Sequence, residues 1–242
     1  MTKYFRLLPL LVLSLLLWNA CGEDRGVETT LDLQYQFTIN DEPLQLGKTY
    51  EVGGTAVQFD IARFYVGGIT LEPPTGPSLR FEDLYFLVHP EESNYEIGGF
   101  DFAPYNKMNF FVGIAPEINS QTEDDFTTRS ANDPLSVQDP SMHWNWNSGY
   151  KFIRVDGQTD TDGDGVVDTP MAFHIGTDNL LKTLSFDTPT LQEGANTFTF
   201  TLDLNRLYQD INLAEDWSTH TGNNLPLAQQ FLGNFEQALT IQ

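Results

Sequence analysis

The 242-residue sequence has little that could staple it and little that would draw it to polyanions. Its only cysteine is Cys21. An intrachain disulfide is therefore excluded, and stability must come from a buried core, for which the length is ample. Basic residues are scarce, with 12 Lys and Arg against 34 Asp and Glu and a formal net charge of −22. Such a surface repels nucleic acid and anionic headgroups, and it attracts divalent cations or a basic partner. The sequence has no G-x-S-x-G, no H-E-x-x-H and no phosphate-cradling glycine loop. Among so many carboxylates no pair has the spacing of an acid/base couple, so no catalytic residue is assigned and the chain is expected not to be an enzyme. It contains no low-complexity segment and no repeat of fixed period.

The amino-terminal apolar run, Leu7 to Leu17, is eleven residues long. A membrane-spanning helix needs about 20. With Lys3 and Arg6 ahead of it, the run reads as a secretory signal. It ends at "LLWNAC", where Cys21 follows Ala20. This resembles a bacterial lipobox, with Trp18 standing where leucine is usual. Residues 1–20 are thus expected to be a lipoprotein signal peptide, with Cys21 lipidated as the new first residue. The protein would be held by several acyl chains at the periplasmic or outer-membrane surface of a bacterial envelope. Removing Lys3 and Arg6 leaves 10 basic against 34 acidic residues, a net charge of about −24. Residues 21–30 are polar and acidic, a short tether before a domain spanning 31–242.

That domain reads as all-β. "LDLQYQFTI" (31–39) alternates apolar and polar residues. The same period of two runs through 55–71, 82–90, 150–157, 171–176, 181–187 and 196–208, between turns such as "NDEP", "PPTGP" and "TPTLQEGA". An antiparallel β-sandwich with long loops is the expected architecture. The polar stretch 117–140 is expected to cross the surface as one of those loops. Only the end is helical, where Leu225, Ala228, Leu232, Phe235 and Leu239 recur at helical spacing behind Asn224 as a cap, with Pro226 in the first turn.

Two segments carry candidate chemistry. In "DTDGDGVVD", Asp160, Asp162, Asp164 and Asp168 occupy positions one, three, five and nine, with Gly165 at six. This is the spacing of a calcium loop without the bidentate glutamate that usually closes it. Calcium would brace a loop between two strands; the plainer reading is an acidic hairpin tip. The second segment is "MHWNWNSGYKF" (142–152), which holds Trp144 and Trp146 beside His143. If it is extended, Met142, Trp144 and Trp146 share one face and His143 the other. His174, in "MAFHIG", then lies opposite Met171, Phe173 and Ile175. Either the indoles fill the core, each burying about 200 Å², or they serve chemistry with the imidazoles. His89 and His220 are the remaining histidines.

"MHWNWNSGYKFIRVDG" followed by "MAFHIGTDNLLKTLSFD" resembles the M-x-W-x-W-N-x-G-Y-K-F and F-H-I-G pair of MbnP-like proteins. "VQFDIARFYVGGITL", "FTLDLNRLY" and "HTGNNLPLAQQFLGNFEQAL" agree in order, so that the resemblance covers about residues 31–240. These are periplasmic or surface proteins, named for a member encoded in methanobactin clusters and distantly related to surface copper binders of methanotrophs. The resemblance implies an envelope copper-binding protein. It also implies that a tryptophan, Trp144 or Trp146, is oxidised to kynurenine by a partner dihaem enzyme related to cytochrome c peroxidases. His143 and His174 are the candidate copper ligands that it suggests. Indole N–H is only a donor, whereas kynurenine offers an amine and a carbonyl. The alternative function is a structural or adhesion lipoprotein with calcium as its only ion.

Overall fold

A computed structural model describes residues 28–144 and 149–242. The signal segment, Cys21 and Trp146 fall outside the described residues. The alternation read in the sequence becomes β1 (Thr29–Ile39), whose Leu31, Leu33, Tyr35, Phe37 and Ile39 are all buried. Asn40 and Asp41 both adopt positive φ and turn the chain into β2 (Glu42–Pro43), as a two-residue hairpin requires. The pair Gly53–Gly54 makes a similar turn between β3 (Thr49–Val52) and β4 (Thr55–Glu72). The chain continues through β5 (Leu79–Val88), β6 (Asn94–Phe100) and β7 (Lys107–Val112). Two short helices follow, α1 (Pro116–Asn119) and α2 (Glu123–Thr127). Then come β8 (Ile153–Thr159), β9 (Thr169–Ile175), β10 (Lys182–Asp187) and β11 (Ala195–Asp203). The chain ends with α3 (Leu204–Leu207), β12 (Ser218–Thr219), α4 (Leu225–Ala238) and β13 (Leu239–Ile241).

These strands make a sandwich of two sheets. One runs β13-β11-β1-β2, with β6 also on β1; the other runs β10-β7-β4-β8-β9-β12, with β3 and β5 also on β4. The sheets are mixed: β1 pairs with β11 in parallel, from Thr30↔Ala195 to Thr38↔Asp203, and β12 lies parallel to β9. Aromatic rings bridge the layers. Tyr35 meets Phe64 at 5.8 Å and Phe110 meets Phe200 at 5.5 Å, both edge to face, the arrangement that ring quadrupoles favour. The expected helix α4 closes one end. The Asn224 side chain accepts the Leu227 N–H as its cap, and Phe231 and Phe235 pack on Phe173 and Phe64. Burying one such phenylalanine contributes about 1.5–3 kcal/mol.

The outer face of the β4 sheet carries a second, smaller core that positions the candidate site. Tyr65, Tyr85 and Leu87 of β4 and β5 are covered there by Ile114, Phe126, Leu135, Met142, Tyr150 and Phe152. The stretch 117–140 therefore does more than cross the surface. Phe126 and Leu135 anchor it, and the Tyr65 and Tyr150 hydroxyls donate to the carbonyls of Pro134 and Leu135. Both phenols would otherwise be buried donors without partners.

Candidate metal centre

Residues 142–144 and 149–151 pair with each other beside the end of β9, and do not form a strand of the sheet. The Trp144 N–H donates to Gly149 O (3.1 Å) and the Lys151 N–H to Met142 O (2.7 Å), with a bridge between His143 and Tyr150. Two glycines make this approach possible. Gly149 sits at φ +71°, where an added Cβ would also collide with Asn119. The Asn119 side-chain oxygen instead accepts the Tyr150 N–H at 2.8 Å. At Gly176 a Cβ would collide with the Tyr150 carbonyl, while the Phe152 N–H donates to Ile175 O at 2.6 Å. The glycines of the tryptophan segment and of "FHIG" thus let one backbone cross closely over the other.

Register brings the functional side chains together. In β8 and β9, Arg154 lies opposite His174, and Met171, Phe173 and Ile175 turn into the main core. The segment after β12 runs alongside β9, where Thr221 Oγ donates to His174 O at 3.0 Å and accepts the Gly176 N–H at 3.1 Å. This latch carries His220 to His174, with ring centroids 4.7 Å apart. The half-buried indole of Trp144 faces both, at 5.8 Å from His174 and 6.2 Å from His220. Lys151 Nζ lies 5.6 Å from the indole centroid, within cation–π range.

His174 is held in one orientation. Its Nε2 bonds Asp156 Oδ1 at 2.5 Å, and Arg154 grips the other oxygen of the same carboxylate at 2.6 Å. Burial opposes the charge on Asp156, yet the bonds and charges of His174 and Arg154 outweigh it and hold the pKa below its ordinary value. With Nε2 engaged as the donor, His174 Nδ1 is buried and has no hydrogen-bond partner among the described residues. A carboxylate behind one imidazole nitrogen and a free lone pair on the other is the usual support of a metal-ligating histidine. Burial, then His174, and then Lys151 against the opposing pull of Asp156, depress the His220 pKa. That depression favours the neutral His220 imidazole that a metal needs.

His143 faces elsewhere. Its ring packs at 4.3 Å from Phe126 and 4.0 Å from Tyr150, in the second core. Burial and then the charges of Lys151 and Arg129 pull its pKa down to about 4. His89 sits apart at the β5–β6 corner, bonded to Glu91 at 2.8 Å.

The acidic loop joins β8 to β9. Carboxylate oxygens of Asp160, Asp162 and Asp164 come within 4.8 Å of one another; Asp168 is exposed and is not in that group. The nearly buried Asp160 accepts the N–H groups of Gly163 (2.7 Å) and Gly165 (2.8 Å). The bond to Gly165, followed by burial acting in opposition and then further backbone bonds, leaves its pKa lowered. Glycine at 163 and 165 permits the positive φ angles of this turn.

The family model for MbnP matches residues 28–224, which take in the tryptophan hairpin, His174 and His220. The chain belongs to the MbnP family. Among solved structures it is similar to MbnP from Methylosinus trichosporium, with a TM-score of 0.56 and 14% identity. That likeness covers 77% of this chain and 80% of the other, and at such low identity it establishes the shared fold alone. No curated protein matches the chain. No helix among the described residues is long and apolar enough to cross a membrane.

Of the residues singled out in this MbnP-family sequence, the fold brings Trp144 and His174 together. It sends His143 to the opposite side of the hairpin, as the alternation argument required. Trp146 and Cys21 lie outside the described residues. Sequence reasoning missed His220 as a partner, although the signal was present: it opens "HTGNNLPLAQQF", one of the segments that carried the resemblance. Asp156, the carboxylate behind His174, gave no signal among 34 acidic residues.

Proposed function

We propose that this MbnP-family protein binds copper at the bacterial cell envelope, with His174 and His220 as imidazole donors and Trp144 beside them. The observation that carries this reading is the buried Nδ1 of His174. It has no hydrogen-bond partner among the described residues, its ring lies 4.7 Å from that of His220, and Asp156 fixes the opposite nitrogen. Two neutral imidazoles suit copper, and a thiolate is not required. With His143 packed against Phe126 and Tyr150, His220 takes the place the resemblance gave to that residue. When bound, copper would give the protein a soft cation to store or hand on. The polypeptide supplies the donor set, its orientation and the aromatic wall, and it acts as a binding protein, not a catalyst.

Trp144 is the indole to modify on this reading. Conversion to kynurenine cleaves the indole C2–C3 bond with two oxygen atoms taken from peroxide or dioxygen. Hydrolysis of the resulting N-formyl group releases formate, so that the net change trades a carbon for an oxygen and turns a non-ligand into an amine and carbonyl beside the two histidines. A partner, a dihaem peroxidase-like enzyme, catalyses this oxidation. Lipidation at Cys21 holds the protein at the membrane, and calcium at Asp160, Asp162 and Asp164 braces the β8–β9 loop.

Purification from the native host followed by metal analysis and intact mass tests the proposal. Copper should be present, should fall in His174→Ala and in His220→Ala, and should persist in His143→Gln. A carbon-for-oxygen mass change should map to Trp144. Copper retained in full by both alanine variants would overturn the site. The competing reading, a structural envelope protein with calcium as its only ion, draws on the acidic triangle and predicts calcium without copper.

A further inference from the structure

We propose that the charge of Lys151 weakens Cu(II) more than Cu(I) at this centre and so discriminates between the two oxidation states. The inference rests on the copper reading above and adds a determinant to it. The charges around the two imidazoles are few and can be followed one by one. Asp156 is negative, and its carboxylate is divided between Arg154 and His174. Arg154 is thereby matched. Lys151 is not matched in this way: its Nζ donates to the Ser141 carbonyl at 3.1 Å, and no carboxylate lies within ion-pair distance of it among the described residues. The side chain is only 8% exposed, so solvent and salt screen its charge weakly.

With both histidines neutral, the ionised side chains Asp156, Arg154 and Lys151 leave the pocket one unit positive. A monovalent ion raises that to two units and a divalent ion to three. Each further unit of charge on the ion meets the full repulsion of Lys151, which sits over the indole that faces both imidazoles. At an effective dielectric near 20 and a separation of up to about 10 Å, that repulsion is worth about tenfold in affinity per unit of ion charge. Among the described residues no carboxylate other than Asp156 pairs with either imidazole to offset it. A two-imidazole donor set also serves the low coordination numbers of Cu(I) better than the tetragonal demand of Cu(II). Lys151 therefore acts as a specificity residue without being a ligand.

The test measures both oxidation states on the same protein. Cu(I) affinity is read by competition with bicinchoninate under anaerobic reduction, and Cu(II) affinity by competition with nitrilotriacetate. Lys151→Gln keeps a donor for the Ser141 carbonyl and removes the charge. It should tighten Cu(II) about tenfold more than Cu(I), narrowing the preference by that factor. Lys151→Met should do the same, and Lys151→Arg should retain the parent ratio. A ratio unchanged in both neutral variants, each melting as a folded protein, would overturn the role of Lys151 while leaving the copper site standing. A ratio that shifts equally in Lys151→Arg would also overturn it, since packing and not charge would then be responsible. Failure of the unaltered protein to bind either ion would remove the copper reading itself, and this inference with it.

Discussion

His143 should make the fold sensitive to mild acid. The ring is only 6% exposed and lies against Phe126 and Tyr150, and its pKa is lowered from 6.5 to about 4, first by burial and then by Lys151 and Arg129. In the unfolded chain the same imidazole titrates near 6.5. A histidine held neutral by the fold contributes its full stability above pH 6.5. That contribution drains as pH falls from 6.5 towards 4, because only the unfolded chain takes up the proton in that window. The difference of 2.5 pKa units corresponds to about 3.4 kcal/mol at 1.36 kcal/mol each. Allowing for partial screening by solvent, about 2 kcal/mol is a fair expectation.

Urea unfolding of metal-free protein at pH 7.5 and pH 4.5 measures this directly. With a slope of about 2–3 kcal/mol per molar for a chain of this size, the midpoint should fall by about 1 M through this group. His143→Gln cannot titrate, so its midpoint should be lower than that of the parent at pH 7.5 and should converge with it at pH 4.5. The carboxylates whose pKa the fold lowers, Asp125, Asp156 and Asp160, stabilise above 3.8 and lose that contribution only below it. They leave the window clear. His220, whose pKa burial also lowers, is present in both proteins and cancels in the comparison. Parallel pH dependences for parent and variant would refute the reasoning, since His143 would then be free to protonate in place.

The strands were legible because each buries one face. Leu31, Leu33, Tyr35, Phe37 and Ile39 line up inward from β1 with the period read in the sequence. The cap and apolar stripe of α4 were equally local. What no window could show was the partner of each strand. The parallel union of β1 with β11 joins residues some 165 positions apart, as Thr30↔Ala195 and Thr38↔Asp203 record, and neither strand encodes the other. The stretch 117–140 looked like plain surface because two apolar anchors, Phe126 and Leu135, are diluted by polar neighbours. The candidate site divides in the same way. The opposed faces of Trp144 and His143, and of His174 and Phe173, followed from alternation. His143 was named through the resemblance, whereas the fold sets His220 beside His174 through the parallel pairing of β12 with β9.

Three further outcomes follow from the same geometry. Asp156→Asn removes the charge behind His174 and should weaken copper binding about 10–100-fold while leaving the two-sheet core intact, as read by competition titration and near-ultraviolet circular dichroism. Calcium at millimolar concentration should raise the melting temperature of the parent and not of Asp160→Ala; equal shifts would remove the β8–β9 loop as its site. Gly176→Ala is the sharpest of the three. Its new methyl would stand well inside van der Waals distance of the Tyr150 carbonyl oxygen, in a backbone held on one side by Phe152 N–H to Ile175 O and on the other by the Thr221 latch. Something must move, at a cost of about 1–3 kcal/mol, and the cheaper movement is the hairpin lifting from β9, because β9 is bonded along both edges. Lifting carries Trp144 away from His174 while His174 and His220 stay together. The variant should therefore lose the contact between indole and imidazoles, and with it any oxidation of Trp144, before it loses its histidine pair. Full kynurenine formation in a folded Gly176→Ala protein would show that the crossing of hairpin over strand does not position the indole.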